Sequence, residues 1–106
     1  MIYKVRYLKP HFYDIVMRLK KRDKSLYNRL MKKIILVSKS PRTVGHELSN
    51  NLKGLWDTHV SHHVLIYHID EKNSIIRFIY FDHHDQVFKR TEITLPFLMA
   101  DLLRID

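Results

Sequence analysis

Cysteine does not occur in the sequence, which therefore offers neither a disulfide framework nor a thiolate metal site. Glycine occurs twice and proline three times, and 45% of the residues are hydrophobic, which is the composition of a compact folded chain and not of a disordered one. No apolar run approaches the roughly 18 residues that a membrane span needs, and residues 1–6 lack the apolar core of a signal peptide. We therefore expect one cytoplasmic domain over residues 1–106, with no membrane association.

Acidic residues are fewer than basic ones. Nineteen Lys and Arg side chains stand against eleven Asp and Glu, which gives a formal net charge of +8 and a sequence pI near 9.8. A field of this sign and size favours polyanionic partners, of which nucleic acid is the most common. Basic composition can also serve solubility alone, so the charge favours nucleic acid without excluding other roles.

Histidine is abundant: the chain has eight, and six of them lie between His59 and His84. Imidazole has an unperturbed pKa of about 6.5, which suits proton transfer near neutral pH. Histidine is also the commonest side-chain metal ligand. The enrichment therefore indicates acid–base chemistry or a metal site, and by itself does not choose between them.

The first forty residues have the pattern of one strand and two helices. Residues 2–8 alternate between apolar and basic side chains, as in a half-buried strand. Pro10 begins a segment whose apolar residues recur at helical spacing. Ser25 is the expected N-cap of a second helix, which ends at Ser40–Pro41 because proline disfavours helical geometry in the preceding residue.

The second half of the chain has strand composition. Three segments rich in Ile, Val, Phe and Tyr are expected strands, at 55–60, 63–69 and 74–81. The polar residues 70–73 predict a hairpin between the last two. We expect a further edge strand at 86–90 and a short C-terminal amphipathic helix within 91–106. The predicted fold class is α+β, with an N-terminal strand and two helices packed on an antiparallel sheet.

An ordered series of short segments carries a family resemblance. The series reads HEL at 46–48, LKGLW at 52–56, DTHV at 57–60, LIY at 65–67 and HDQVF at 84–88. In this order the segments resemble the RelE/ParE toxin superfamily, and within it the YafQ-like mRNA interferases. No segment is diagnostic alone, whereas the ordered series is moderately specific.

The resemblance implies a RelE-like fold and the toxin of a type II toxin–antitoxin system. It implies a ribosome-dependent mRNA endonuclease without cofactor or metal, whose partners are an antitoxin protein, mRNA and the ribosome. The active-site histidines of the family fall on His46, His59 and His84, and its terminal aromatic residue falls on Phe88.

The sequence departs from the family at two positions. Where the family has an active-site aspartate, the chain is one residue shorter and has His62 or His63; counting back from Tyr67 selects His62. Val64 stands where RelE itself has an arginine before its apolar strand. The chemistry that the resemblance implies is therefore YafQ-like.

RNA cleavage by this superfamily resembles metal-free ribonuclease chemistry, in which a base activates the ribose 2′-OH and an acid protonates the leaving oxygen. The implied acid–base pair is His59 and His84, and His46 or Lys53 would stabilise charge on the phosphate. Phe88 would stack on a nucleobase. Further contacts to RNA are expected from basic side chains, namely Lys53, His63, Arg77, Lys89 and Arg90.

Three other hypotheses remain open. A ParE-like member of the same superfamily would inhibit DNA gyrase without nuclease chemistry, and the clustered histidines argue against it. A degenerate toxin would only bind its antitoxin. A metal site could use His59, His62 and His63 with residues 82–85; however, adjacent strand residues point to opposite faces, so neighbouring histidines cannot all converge.

Overall fold

The structure, a computed structural model, describes residues 2–49 and 52–86. Within these residues one strand is followed by three helices and then by four strands. The bounds are β1 (Lys4–Tyr7), α1 (His11–Arg22), α2 (Lys24–Lys39), α3 (Pro41–Val44), β2 (His46–Glu47), β3 (Leu55–Val60), β4 (His63–Asp70) and β5 (Ile75–His83).

Several expectations fall beyond the described part of the chain. Phe88, Lys89, Arg90 and the expected C-terminal helix within 91–106 lie outside the described residues. The strand expected at 86–90 is wrong at its first residue, because Gln86 belongs to a helical turn at 84–86. Among the described helices, each is too short or too polar to cross a membrane.

The first two helices form where apolar side chains recur every three or four residues. Phe12 and Val16 are buried on α1, and Leu30 and Ile34 on α2. Asp23 separates the helices, and its Oδ1 accepts a hydrogen bond from the backbone N–H of Leu26 at 3.1 Å. The expected N-cap at Ser25 is therefore wrong: the Asp23 carboxylate occupies the capping position two residues earlier.

The five strands form one sheet in the order β1-β5-β4-β3-β2. The pairs from β2 to β5 are antiparallel, whereas β1 pairs in parallel with β5 through Lys4↔Ile75 to Tyr7↔Phe78. The α+β class is confirmed, and the sheet is mixed because α1 and the rest of the chain lie between β1 and β5. Such an intervening connection is what a parallel pair requires.

The helices cover one face of the sheet. Phe78 of β5 stacks on Phe12 of α1, with ring centroids 5.9 Å apart, and the Thr58 hydroxyl of β3 donates to the Val44 carbonyl at 3.3 Å. Side chains alternate along a strand, so Asp57 and His59, the neighbours of Thr58, point to the opposite side. We call that side the distal face.

The β4–β5 hairpin forms at the expected position and is fixed by Asp70. This carboxylate accepts hydrogen bonds from the backbone N–H of Asn73 at 3.1 Å and from Arg77 Nη1 at 2.8 Å. The side chains of Asp70 and Arg77 are only 12% and 10% exposed. The bond from Arg77 is the main reason that the pKa of Asp70 is lowered to about 2.

We expect Asp70→Ala to lower the free energy of unfolding by about 2 kcal/mol at pH 7, because it removes the carboxylate that accepts a hydrogen bond from the mostly buried Arg77 guanidinium. The lowered pKa means that the unfolded chain binds more protons than the folded one between about pH 4 and pH 2. The stabilisation is therefore lost as pH falls through that window. Urea unfolding at several pH values measures it, with the exposed loop variant Lys72→Ala as control. Equal unfolding curves for Asp70→Ala and wild type would contradict this account.

Gly45 permits a close approach between the helical layer and the sheet. The Tyr67 hydroxyl of β4 donates to the Pro41 carbonyl, beside Gly45. A Cβ at residue 45 would overlap the Tyr67 hydroxyl and come within 2.7 Å of the Asp57 carbonyl oxygen. Both contacts lie next to β2, which begins at His46.

We expect Gly45→Ala to lower the free energy of unfolding by about 1–3 kcal/mol, the usual range for overpacking. The new methyl group would overlap the Tyr67 side chain and the Asp57 carbonyl, which are both held in the sheet. Either Tyr67 or β2 must therefore move from its place. Chemical denaturation measures the change, and Ser49→Ala, an exposed nearby position, is the control. Unchanged stability would show that β2 shifts freely.

Candidate active site

A short pairing of β2 with β3 brings His46 beside a carboxylate. His46 lies opposite Asp57, and Asp57 and His59 follow each other on the same side of β3. Side chains of directly opposed strand residues lie within roughly 4.5–5.5 Å at their Cβ atoms. His46, Asp57 and His59 are therefore neighbours on the distal face.

His84 completes this group from the other side. The imidazole rings of His59 and His84 stack with their centroids 5.8 Å apart and their planes 28° apart. Both residues are exposed, and the backbone N–H of His84 donates to the His62 carbonyl at 2.8 Å, which fixes the chain after β5 against the β3–β4 turn. Two imidazoles are thus held in contact on an accessible surface.

Asp57 is half-buried, and the pKa of its carboxyl group is shifted. Burial raises the pKa of the Asp57 carboxyl, and the nearby positive charges of His59 and His46, when protonated, lower it less. The charged form of the Asp57 carboxyl is therefore less favourable than it is in water, and two histidines face it. A carboxyl group whose pKa is shifted by burial and by neighbouring charges is a candidate functional residue.

His62 and His63 lie elsewhere. His63 pairs with Val60 and with His83, which places it on the helix-covered face, and its ring stacks on Phe81 at 5.1 Å. The ring of His62 lies beside that of His83, at 6.5 Å. Neither is brought to the group around His59, and Asp57 supplies the carboxylate there.

The position of His63 has an electrostatic consequence. Burial, followed by the neighbouring His83, lowers the pKa of His63. Its Nδ1 is buried and, within the described part of the chain, has no hydrogen-bond partner. The protonated form of His63 is therefore less favourable than in water, which does not suit a cationic contact to phosphate.

The expected basic contacts are dispersed. Lys53 is exposed in the turn before β3, at the end of the strand far from His59. Arg77 is 8% exposed and bonds to Asp70, so a structural role accounts for it. Of the two candidates for a third cation, His46 lies near His59 and Lys53 does not.

The histidines are numerous, but among residues 2–49 and 52–86 no three His, Asp or Glu side chains come together in a way that could hold a metal ion. The stacked imidazoles of His59 and His84 are suited to proton transfer. One imidazole that is neutral and one that is protonated can act together as base and acid.

Asp57 is the site residue that the sequence argument left out. Asp57 stands in the DTHV segment, where the family resemblance assigns it no role. Its spacing of two residues from His59 in a strand was an available signal, because such residues share a face. Its burial and its pairing with His46 depend on contacts between distant segments.

Comparisons with known proteins agree with this architecture. The sequence matches the family of ParE toxins of type II toxin–antitoxin systems (parDE) over residues 6–88. RelE4 of Methanocaldococcus jannaschii, a candidate toxin, is 29% identical over 85 residues, which cover 79% of this chain and 89% of that protein.

Two solved structures show a similar fold. A chain of the toxin–antitoxin complex RelBE2 from Mycobacterium tuberculosis superposes with a TM-score of 0.67 and 23% identity, covering 78% of this chain and 99% of its own length. YafQ from Escherichia coli superposes with a TM-score of 0.55 and 23% identity, covering 81% and 98%. These likenesses confirm the expected RelE-like fold, and the match over residues 6–88 shows that the chain belongs to the ParE toxin family of type II toxin–antitoxin systems, within the RelE/ParE superfamily.

Proposed function

We propose that this toxin is an mRNA endonuclease in which His59 and His84 transfer the protons. The observation that carries the proposal is the stacked pair of exposed imidazoles, with ring centroids 5.8 Å apart. A toxin that acts only by binding a protein does not need two titratable rings in contact with each other and next to a half-buried carboxylate.

The reaction follows from this pair. The neutral imidazole removes the proton from a ribose 2′-OH, and the oxygen attacks the adjacent phosphorus. The bond from phosphorus to the 5′ oxygen breaks, and the protonated imidazole gives its proton to that oxygen. The products are a 2′,3′-cyclic phosphate and a 5′-hydroxyl end.

The neighbours of the pair have distinct roles in this proposal. His46, when protonated, stabilises negative charge on the phosphate. Asp57 is a positioning residue: its carboxylate faces His46 and His59 and holds their rings in a fixed orientation. Phe88 keeps the proposed stacking role on a nucleobase, although it lies outside the described residues.

Partners are proposed from charge and from the relatives. The net charge of +8 suits RNA and the ribosome. The M. tuberculosis chain with a similar fold comes from a toxin–antitoxin complex. We therefore propose that this toxin also binds an antitoxin. Cleavage of translated mRNA requires the toxin to act in the cytoplasm.

Induction of the toxin in a bacterial host tests the proposal. We expect growth arrest and new mRNA 5′ ends within translated regions, which disappear when translation is blocked before induction. The second candidate function, inhibition of DNA gyrase, is favoured by the match to the ParE family. Intact transcripts together with loss of DNA supercoiling would support that function and contradict ours.

We expect cleavage by the purified toxin on programmed ribosomes to be insensitive to chelation of transition metals. The reason is that the proposed acid and base are imidazoles and not a metal-bound water. Cleavage is measured with and without EDTA, and magnesium is restored to both samples to keep the ribosomes intact. Loss of activity that zinc or manganese restores would contradict the mechanism.

A further inference from the structure

A groove of about 350 Å³ lies between α1 and the last residues of β5. β1 pairs with β5 only as far as Phe78, so the edge of β5 beyond Phe78 faces α1 without a strand between them, while β4 stays paired on the other edge. Asp82, at the end of the groove, precedes the candidate active-site residue His84 by two positions. Its lining includes Ile15, Arg18, Leu19 and Arg22 of α1 and Tyr80, Phe81 and Asp82 of β5.

Two guanidinium groups at the groove are available for an anion. Arg18 and Arg22 are both exposed and lie one helical turn apart on the same side of α1. Arg18 forms one long hydrogen bond, from Nε to the Asp14 carbonyl at 3.4 Å, which leaves its terminal nitrogens open. Among the described side chains, neither arginine forms an ion pair. Guanidinium groups bind phosphate oxygens in a two-pronged geometry.

The rest of the groove is amphipathic. Ile15 and Leu19 are half-buried, and the ring of Tyr80 is 9% exposed. The Tyr80 hydroxyl donates to Asp82 Oδ2 at 2.9 Å, which fixes the carboxylate. A phosphate is repelled by this carboxylate and therefore lies on the α1 side. A nucleobase suits the apolar part of the groove, where it contacts Ile15, Leu19 and Tyr80 and can donate an N–H to Asp82.

The groove is close enough to the candidate active site to hold the same RNA strand. Asp82 of the groove lies opposite Val64 on β4, and Val64 lies opposite His59 on β3, so Asp82 and His59 share the distal face. Two strand spacings of about 4.8 Å put them roughly 10 Å apart. His84, which stacks on His59, follows the end of β5. A short piece of an extended RNA strand covers this distance.

We propose that the groove binds a nucleotide next to the cleaved bond, with its phosphate on Arg18 and Arg22 and its base against Ile15 and Leu19. The proposal rests on the proposed endonuclease function, since it assigns a subsite for that substrate. It makes the groove a determinant of where the toxin cuts.

The experiment measures cleavage of mRNA on programmed ribosomes with a neutral methylphosphonate placed, in turn, at each phosphate near the cleaved bond. In the wild type, one flanking substitution lowers kcat/KM about tenfold or more, because a charged hydrogen-bonded contact is lost. The Arg18→Ala/Arg22→Ala variant is slower on the natural mRNA by a similar factor. In this variant the methylphosphonate causes no further loss of activity, because the contact between phosphate and arginine is already absent.

The matched control is Lys21→Ala/Lys24→Ala, which removes the same two charges from the same region, at exposed residues that do not line the groove. This variant keeps the full methylphosphonate effect. If the lysine variant behaves like the arginine variant, the groove is not a phosphate site. The same holds if the losses of kcat/KM caused by the arginine substitutions and by the methylphosphonate multiply, because the two changes then act on different contacts. If the arginine variant cleaves normally but binds antitoxin more weakly, the groove serves a protein partner and the proposal is wrong. A wild-type toxin that cleaves no mRNA overturns the proposed function as well.

Discussion

Replacement of either stacked imidazole is expected to lower the rate of mRNA cleavage by about 10²-fold or more, the usual effect of losing a general acid or base. His59→Ala and His84→Ala each remove one member of the pair, whose rings are 5.8 Å apart. The two act in the same transition state, so the double variant should be little slower than the slower single variant. Rates are measured on programmed ribosomes.

Histidines outside the pair provide the controls. His11→Ala changes an exposed residue at the start of α1 and should cost little. His62→Ala and His63→Ala affect the turn and the helix-covered face, so we expect smaller losses than at His59 and His84. Equal mild losses at all of these positions would show that the histidines are surface residues and that the catalytic assignment is wrong.

Asp57→Asn is expected to lower cleavage by about 10²-fold, on the scale of misoriented catalytic histidines, and at the same time to stabilise the fold. Burial raises the pKa of Asp57, so between its unfolded and folded pKa values the folded chain binds more protons than the unfolded one. Stability therefore falls as pH rises through that window, and the penalty persists at neutral pH. The amide carries no charge and avoids this penalty.

The two effects of Asp57→Asn are measured separately. Chemical denaturation at pH 7 gives the free energy of unfolding, and cleavage on programmed ribosomes gives the rate. Glu47→Gln, at the exposed neighbour of His46 on β2, makes the same chemical change outside the proposed site. A less active but also less stable Asp57→Asn protein would show that Asp57 holds the sheet together and does not position His46 and His59.

Local pattern was sufficient for much of the fold. The strand at 55–60 has the bounds predicted from its composition, and α1 begins one residue after Pro10. The parallel pairing of β1 with β5 could not be predicted from local pattern, because it joins segments separated by the helices. The cap of α2 was misplaced because Asp23 and Ser25 are both good capping residues, and the turn after α1 decides between them.

The site was predictable to a different extent. Family resemblance pointed to His59 and His84, which the structure places in contact; their catalytic roles stay predictions. The resemblance places His62 or His63 where the family has an aspartate. Adjacent strand residues point to opposite faces of a sheet, so an uncertainty of one residue in the alignment changes the face to which a side chain is assigned. The role of Asp57 depends on β2, a strand of two residues that no periodic pattern reveals.

The most direct test of the mechanism is the chemistry of the cut RNA. An mRNA with a 2′-deoxy sugar at the cleaved position is compared with the natural strand on programmed ribosomes. Our account predicts that the wild-type toxin cuts the natural strand to leave a 5′-hydroxyl and a 2′,3′-cyclic phosphate, and leaves the 2′-deoxy strand intact. Cleavage of the 2′-deoxy strand, or products with 5′-phosphate ends, would contradict attack by the ribose 2′ oxygen and with it the acid–base role of His59 and His84.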